Sequence, residues 1–227
     1  MPDTRTVLFD LDGTLVDTAP DMARALNRVL ADEGLPALVF EEIRPHVSRG
    51  AAGLLALAFG DALDGVELDR LRAAFLVHYA ADLAAESRPF SGIEKLIGEI
   101  EQAGMCWGVV TNKPGWLTQP LLRALDLSAR AACVVSGDTL AQRKPDPAPL
   151  LHACALVGNE PAHSVYVGDD ERDIAAGRAA GMDTYVALFG YLGADARPDT
   201  WGATATIERP ADLWARLAQR RDRAEVS

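Results

Sequence analysis

Residues 7–18 read VLFDLDGTLVDT, and they place two carboxylates, Asp10 and Asp12, directly after the apolar run 7–9. A short apolar run that does not alternate with polar residues is typical of a buried strand. Like charges about 4 Å apart repel by roughly 4 kcal/mol at a surface-like effective dielectric constant. The sequence therefore predicts a buried strand that ends in two acidic side chains, and it favours a bound cation as the means of offsetting their repulsion.

The composition of the chain indicates a folded protein without a nucleic-acid or membrane partner. Of its 227 residues, 49 % are hydrophobic and 24 % are charged, which is enough for a sizeable core. The net charge of −11 argues against binding to nucleic acid or to an anionic membrane, because phosphate groups attract Lys and Arg. No apolar stretch approaches the length of a membrane span, and the first ten residues lack the pattern of a signal peptide.

The three cysteines fit neither a disulfide framework nor a zinc site, because their number is odd and their spacing is wide. Cys106, Cys133 and Cys154 are therefore predicted to be reduced and buried, as in a cytoplasmic protein. A cytoplasmic location is accordingly the expectation for this chain.

Four further apolar runs resemble the run at 7–9, and together they predict five strands. These runs are 106–110, 132–135, 164–167 and 184–187. None alternates cleanly between apolar and polar residues, which suits a parallel sheet covered on both faces. Helical patterns lie between the runs, as in residues 93–100, where four apolar side chains fall on one stripe. This alternation predicts an α/β fold with a doubly wound parallel sheet and a Rossmann-type core.

Residues 17–88 interrupt this alternation, because they contain one helical pattern after another and no strand pattern. Thr18 is expected to cap the first of these helices. We therefore predict two domains, an α/β core domain of residues 1–16 and 89–227 and an all-helical inserted domain of residues 17–88.

Polar residues follow the other predicted strands. The segments are Thr111-Asn112-Lys113, Arg143-Lys144-Pro145-Asp146-Pro147 and Gly168-Asp169-Asp170-Glu171-Arg172-Asp173. Because sites of such folds lie beyond the carboxyl ends of the strands, these segments should meet Asp10 and Asp12 in one crevice. Carboxylates with a nearby lysine and hydroxyl group suit Mg²⁺ and a phosphate group. There one aspartate can attack phosphorus, and a second carboxyl group can protonate the leaving alcohol and then activate water.

Four segments, taken in order, resemble the four sequence motifs of the haloacid dehalogenase-like hydrolase superfamily. They read VLFDLDGTL, VVTNK, RKPDP and VGDDERDI. The resemblance covers essentially the whole chain, and it implies a Mg²⁺-dependent phosphatase with a helical cap inserted after the first motif. The presence of Asp12 separates the chain from true haloacid dehalogenases, which lack that carboxylate.

The resemblance also implies roles for individual residues. Asp10 would be the nucleophile and Asp12 the acid and base, while Thr111 and Asn112 would bind the phosphoryl group. Lys144 is the lysine of the third motif. The implied Mg²⁺ ligands are Asp10, Asp12 (through its backbone carbonyl group), Asp169 and Asp173. For the last of these, direct coordination and a supporting role are equally open.

Within the superfamily, the stretches GVVTNKP, KPDPAPLLHA and GDDERDIAAGRAAGM resemble the bacterial phosphoglycolate phosphatases. A sister group, the N-acetylmuramic acid 6-phosphate phosphatases, carries the same stretches. The implied substrate is a small phosphorylated metabolite, with 2-phosphoglycolate as the first candidate and N-acetylmuramic acid 6-phosphate or another sugar phosphate as the second. Arg49 lies in VSRGAAGLL, which resembles the cap loop that meets the substrate, where an arginine could hold a carboxylate. A plain exposed arginine is the alternative.

Several alternatives remain open in the sequence. Lys113 is either a neighbour of the phosphate or a surface charge, and Asp170 is predicted to be a solvated acid in a first helical turn. Trp116 either lines the mouth of the pocket or, as we prefer, packs in the core. A phosphomutase would share these motifs, and a non-catalytic binding protein would be expected to lack Asp10 or Lys144. The chain is expected to be a monomer or a homodimer.

Overall fold

One parallel sheet is the framework of the protein. The structure, a computed structural model, describes residues 4–60 and 65–225, so the termini of the predicted core domain and residues 61–64 of the predicted cap lie outside the described residues. In chain order the strands are β1 (Thr6–Phe9), β2 (Val16–Asp17), β3 (Arg88–Pro89), β4 (Cys106–Val110), β5 (Cys133–Val135), β6 (Ser164–Gly168), β7 (Asp183–Ala187) and β8 (Ala205–Ile207). Six of them pair in parallel in the order β5-β4-β1-β6-β7-β8. The predicted α/β class is confirmed, although the sequence does not predict β8, whose apolar run is too short.

Helices cover both faces of this sheet. The helices are α1 (Ala19–Asp32), α2 (Phe40–Ile43), α3 (Gly50–Phe59), α4 (Gly65–Ala81), α5 (Ile93–Gln102), α6 (Gly115–Ala124), α7 (Ala148–Val157), α8 (Glu171–Ala179) and α9 (Pro210–Glu225). Val7 and Phe9 of β1 pack in one core cluster with residues of α5, α6 and α9, whereas Leu8 packs in another with residues of α7 and α8. Both faces of the strand are thus buried, which explains why its sequence does not alternate. No helix in the described parts of the chain is long and apolar enough to cross a membrane.

Helices α1 to α4 share a third hydrophobic core, to which Leu117 of α6 and Tyr191 also contribute. Leu26 of α1, Leu55 of α3 and Phe75 of α4 are almost completely buried in it. The chain enters and leaves this helical segment through the short antiparallel pair β2–β3, in which Val16 lies opposite Pro89. A 3₁₀ turn, Arg44–Arg49, connects α2 to α3.

Two predictions about single side chains are wrong. Thr18 stands at the N-cap position of α1, but its hydroxyl group donates to Asp12 Oδ1 at 2.6 Å and does not cap the helix. The backbone N–H groups of Thr18 and Ala19 donate instead to the Tyr191 hydroxyl oxygen, at 2.6 and 2.9 Å. A distant tyrosine thus satisfies the helix end. Trp116 is 53 % exposed on α6, so it does not pack in the core.

All three cysteine thiols are free. Cys133 and Cys154 are buried as predicted, whereas Cys106, at the start of β4, is only half-buried. Burial raises the pKa of Cys133 to about 12, and it also raises the pKa of Cys154. Both buried thiols therefore stay protonated and unreactive near neutral pH.

Candidate active site

The carboxyl end of β1 brings Asp10 into contact with residues that follow two other strands. Lys144 Nζ lies 2.7 Å from Asp10 Oδ1 and 2.7 Å from Asp173 Oδ1, and it donates to the Tyr166 hydroxyl oxygen at 2.8 Å. All four residues are buried. A buried ammonium group is stable only when it is paired and hydrogen-bonded, and these three acceptors meet that need. The structure therefore brings three of the predicted site residues together at the expected edge of the sheet.

Three buried carboxylates gather beside this lysine. Asp10, Asp169 and Asp173 each offer an oxygen, and these oxygens lie within 4.8 Å of one another. Burial, together with the neighbouring carboxylates, raises the pKa of Asp10 to about 7 despite Lys144, and it raises the pKa of Asp169 to about 8. The raised pKa values mean that burial and crowding disfavour the charged forms of these carboxyl groups, which a bound cation would offset, and an all-oxygen set is what Mg²⁺ prefers. The acidic cluster therefore fits a hard divalent cation, as the sequence predicts.

Gly13 makes the turn that carries the chain past Asp169. Its φ of +91° favours glycine, and a Cβ atom at this position would lie 2.2 Å from Asp169 Oδ2. We expect Gly13→Ala to lower the free energy of unfolding by about 2–4 kcal/mol in urea denaturation, because it adds steric overlap to backbone strain.

Gly34→Ala is the matched control for this variant. Gly34 has a φ of +70°, but nothing lies within 4 Å of an added Cβ atom there. Only the strain remains, so the expected loss is about 1 kcal/mol. Equal losses in the two variants would contradict a tight approach of Gly13 to Asp169.

The Asp12 carboxyl group belongs to a separate network. Its Oδ1 accepts from Lys113 Nζ at 2.8 Å and from Thr18 Oγ1 at 2.6 Å. Lys113 Nζ also donates to the Tyr79 hydroxyl oxygen at 2.8 Å. Lys113 is buried, so the surface-charge alternative is wrong. Burial by itself lowers the pKa of this lysine, but its charge interactions and hydrogen bonds with Asp12 and Tyr79 together raise it above the usual value. Coordination through the Asp12 backbone carbonyl group stays a prediction.

Thr111 and Asn112 lie where β4 ends, beside Lys144. The Asn112 side chain accepts from the backbone N–H of Lys144 and donates to its carbonyl oxygen, both at 3.0 Å. The amide thereby holds the lysine backbone in place. The buried Thr111 hydroxyl oxygen accepts from the backbone N–H of Lys113 at 3.1 Å. Phosphoryl binding by Thr111 and Asn112 stays a prediction.

The 3₁₀ turn of the helical segment contacts the acidic cluster, which the sequence does not predict. Ser48 Oγ donates to Asp169 Oδ2 at 2.7 Å. Arg172 Nη2 donates to the Ser48 carbonyl oxygen at 2.7 Å, while the same guanidinium group pairs with Asp170. Asp170 also caps α8 by accepting from the Arg172 N–H, so the prediction that it is merely solvated is wrong. The Ser48 contact joins residues 121 positions apart, for which the sequence carries no local signal.

A cavity of about 440 Å³ lies between the strand ends and the helical segment. Asp10, Asp12 and Lys144 line it from the strand ends, and Arg49 and Arg72 line it from the helical segment. Neither arginine has a hydrogen-bond or ion-pair partner among the residues that the structure describes. Two unpaired arginines favour an anionic ligand in this cavity. Arg49 lines the cavity but is exposed, so its role in ligand binding stays a prediction, and Arg72 is an addition.

Comparison with known proteins identifies the family to which the chain belongs. The family model described as haloacid dehalogenase-like hydrolase matches residues 7–187. A phosphoglycolate phosphatase of Xanthomonas campestris is 47 % identical over 210 residues, which cover 92 % of this chain and 95 % of that one. An N-acetylmuramic acid 6-phosphate phosphatase of Pseudomonas aeruginosa is 42 % identical over 209 residues, which cover 92 % of each chain.

The fold agrees with these matches. The crystal structure of a predicted phosphoglycolate phosphatase from Haemophilus somnus superposes with a TM-score of 0.84 at 28 % identity, covering 95 % of this chain and 98 % of that one. Relatives of both names are phosphatases, so the predicted enzyme class is confirmed. By sequence and by fold, the chain belongs to the haloacid dehalogenase-like hydrolase family.

Proposed function

We propose that the protein is a Mg²⁺-dependent phosphatase that hydrolyses a small phosphomonoester through a phosphorylated Asp10, with 2-phosphoglycolate as its substrate. The observation that carries the proposal is the contact of Asp10 with Lys144, at 2.7 Å, beside two further carboxylates and a cavity lined by arginines. The phosphoglycolate phosphatase relative at 47 % identity supports the choice of substrate. The cytoplasmic location and the oligomeric state stay predictions.

The first half of the proposed reaction moves the phosphoryl group to Asp10. A carboxylate oxygen of Asp10 attacks phosphorus as the bond between phosphorus and the leaving oxygen breaks, and Asp12 gives its proton to that oxygen. Lys144 and the Thr111 hydroxyl group stabilise the charge on the phosphoryl oxygens. Mg²⁺ would add positive charge there, and its proposed ligands are Asp10, Asp12 (through its backbone carbonyl group), Asp169 and Asp173.

The second half restores the enzyme. Asp12, now ionised, takes a proton from water, and the water oxygen attacks the phosphorus of the phosphorylated Asp10. The bond between phosphorus and the Asp10 oxygen breaks, inorganic phosphate leaves and the Asp10 carboxylate is regenerated. Asp12 has its proton again, so both carboxyl groups are ready for the next cycle.

We also propose that residues 17–88 act as a cap domain over a core domain of residues 1–16 and 89–227. The hydrophobic core that the four helices share and the short β2–β3 crossing support this division, although Leu117 and Tyr191 of the core domain also contribute to that hydrophobic core. The cap would supply Arg49 to the cavity, where its guanidinium group could hold a substrate carboxylate by two parallel hydrogen bonds.

Arg49→Ala is expected to raise KM for 2-phosphoglycolate by roughly 10- to 100-fold, because a charged hydrogen bond contributes about 1.5–3 kcal/mol. An aryl phosphate without a carboxylate should lose less than about threefold. Steady-state kinetics with both substrates test this prediction. Arg123→Ala, on the exposed side of α6, is the control. A rise in KM of the same size with the aryl phosphate would show that Arg49 does not bind the substrate carboxylate.

N-acetylmuramic acid 6-phosphate is the second candidate substrate, because a relative named for that activity is 42 % identical. A panel of kcat/KM values on 2-phosphoglycolate, N-acetylmuramic acid 6-phosphate and hexose phosphates decides between them. We expect 2-phosphoglycolate to exceed the others by tenfold or more, about 1.4 kcal/mol of transition-state binding. All turnover should stop with EDTA and return with Mg²⁺. Turnover that survives EDTA would refute the Mg²⁺ requirement.

A further inference from the structure

Lys113 is buried between the catalytic edge of the sheet and helix α4. Its Nζ lies 2.8 Å from Asp12 Oδ1 and 2.8 Å from the Tyr79 hydroxyl oxygen, and it sits 4.4 Å from the centre of the Tyr79 ring. Burying an ammonium group is costly unless it is paired, and here one carboxylate and one phenol supply the pairing. The lysine therefore joins Asp12 to the helical segment through two short contacts.

The contacts of Asp12 are unequal at its two oxygens. Oδ1 accepts from both Lys113 and Thr18, the latter at 2.6 Å. Oδ2 accepts no hydrogen bond from any residue in the described ranges, and Asp12 lines the cavity. Two donors on one oxygen fix the plane of the carboxyl group and leave the other oxygen to carry and transfer a proton.

We propose that Lys113 is a positioning residue that holds the Asp12 carboxyl group for proton transfer, and that Tyr79 of α4 holds Lys113 in turn. The packing of α4 over the site thereby orients the acid before the phosphate ester is cleaved. This inference rests on the proposed function, in which Asp12 protonates the leaving alcohol.

The dependence of the rate on leaving-group quality distinguishes a positioning role of Lys113 from a merely structural one. A poor leaving group needs a proton in the transition state, and a good leaving group needs it much less. Phenyl phosphate and 4-nitrophenyl phosphate differ little in size but strongly in leaving-group quality. Their kcat/KM values report events up to the transfer of the phosphoryl group to Asp10, so the later attack of water does not enter the comparison.

The test measures kcat/KM of Lys113→Met and Tyr79→Phe on both esters. For Lys113→Met we expect a loss of about 100-fold on phenyl phosphate and less than about fivefold on 4-nitrophenyl phosphate, as for a weakened general acid. Tyr79→Phe keeps the ring and should show the same selectivity with a smaller loss, about tenfold on phenyl phosphate. Lys95→Met is the control, because the Lys95 side chain is 78 % exposed on α5.

Each other result overturns part or all of the inference. Equal losses on the two esters in both variants overturn it, and an unchanged Tyr79→Phe beside a selective Lys113→Met overturns the part given to Tyr79. If circular dichroism shows Lys113→Met unfolded, the selectivity of Tyr79→Phe decides alone. Failure of the wild-type protein to hydrolyse 2-phosphoglycolate as well as both esters would refute the proposed function itself, which keeps the two failures apart.

Discussion

Asp10→Asn is expected to lower kcat by roughly 10⁴-fold or more on every phosphomonoester, because an amide cannot attack phosphorus and form the covalent intermediate. The fold should survive the change. The Asn side-chain oxygen can still accept the hydrogen bond that Lys144 Nζ donates at 2.7 Å, and the change replaces one of three crowded carboxyl groups by a neutral amide. The midpoint of urea denaturation should therefore stay close to that of the wild-type protein.

A trapping experiment makes this prediction specific to the nucleophile. Wild-type enzyme quenched in acid within the first turnover of a ³²P-labelled substrate should retain a label that hydroxylamine releases, as an acyl phosphate does. Asp10→Asn should retain none. Asp199→Asn, at an exposed position, is the matched control and should keep both the turnover and the label. Turnover retained by Asp10→Asn, or a label of undiminished amount, would assign the nucleophile to another residue.

The convergence of the acidic cluster is the part of the site that the sequence predicts best. Asp10, Lys144 and Asp169 each follow a recognisable strand run, and the carboxyl ends of parallel strands must meet at one edge of the sheet. Local pattern and topology place Asp10 and Asp169 without any knowledge of loop or helix contacts, whereas Lys144 lies on the loop after β5 and is recognised by its motif. The order of the four sequence motifs along the chain predicts the same convergence independently.

The contacts made by the helical segment are the part that the sequence does not predict. Tyr79 and Ser48 reach the site across an inserted segment, and the angle at which helices pack onto a sheet edge has no local signature. Thr18 illustrates the same limit, since a distant tyrosine hydroxyl satisfies the helix end that its own side chain was expected to cap. Lys113 remains ambiguous in sequence because its burial depends on pairing with Tyr79, which lies on a distant helix, as well as with Asp12.

Lys144→Met is expected to be the most damaging substitution for stability, lowering the free energy of unfolding by about 3–5 kcal/mol, because it removes one member of a buried ion-pair cluster. Asp10 and Asp173 both lose their 2.7 Å contacts with the ammonium group, and both remain buried. Turnover should fall by roughly 10²- to 10³-fold or more, since charge on the phosphoryl oxygens loses its lysine. Urea denaturation in EDTA and steady-state kinetics with Mg²⁺ measure the two effects, with Lys95→Met as the exposed control.

The double variant Asp10→Asn with Lys144→Met identifies the cause of the lost stability. If unpaired buried charge is the cause, neutralising Asp10 should return about 1–2 kcal/mol relative to Lys144→Met alone, because residues in contact are not additive. If the loss came only from the packing of the lysine stem, the double variant would be no more stable than the single one. That result would mean that Lys144 does not offset the charge of Asp10, and it would remove the electrostatic basis on which Asp10 is assigned as the nucleophile.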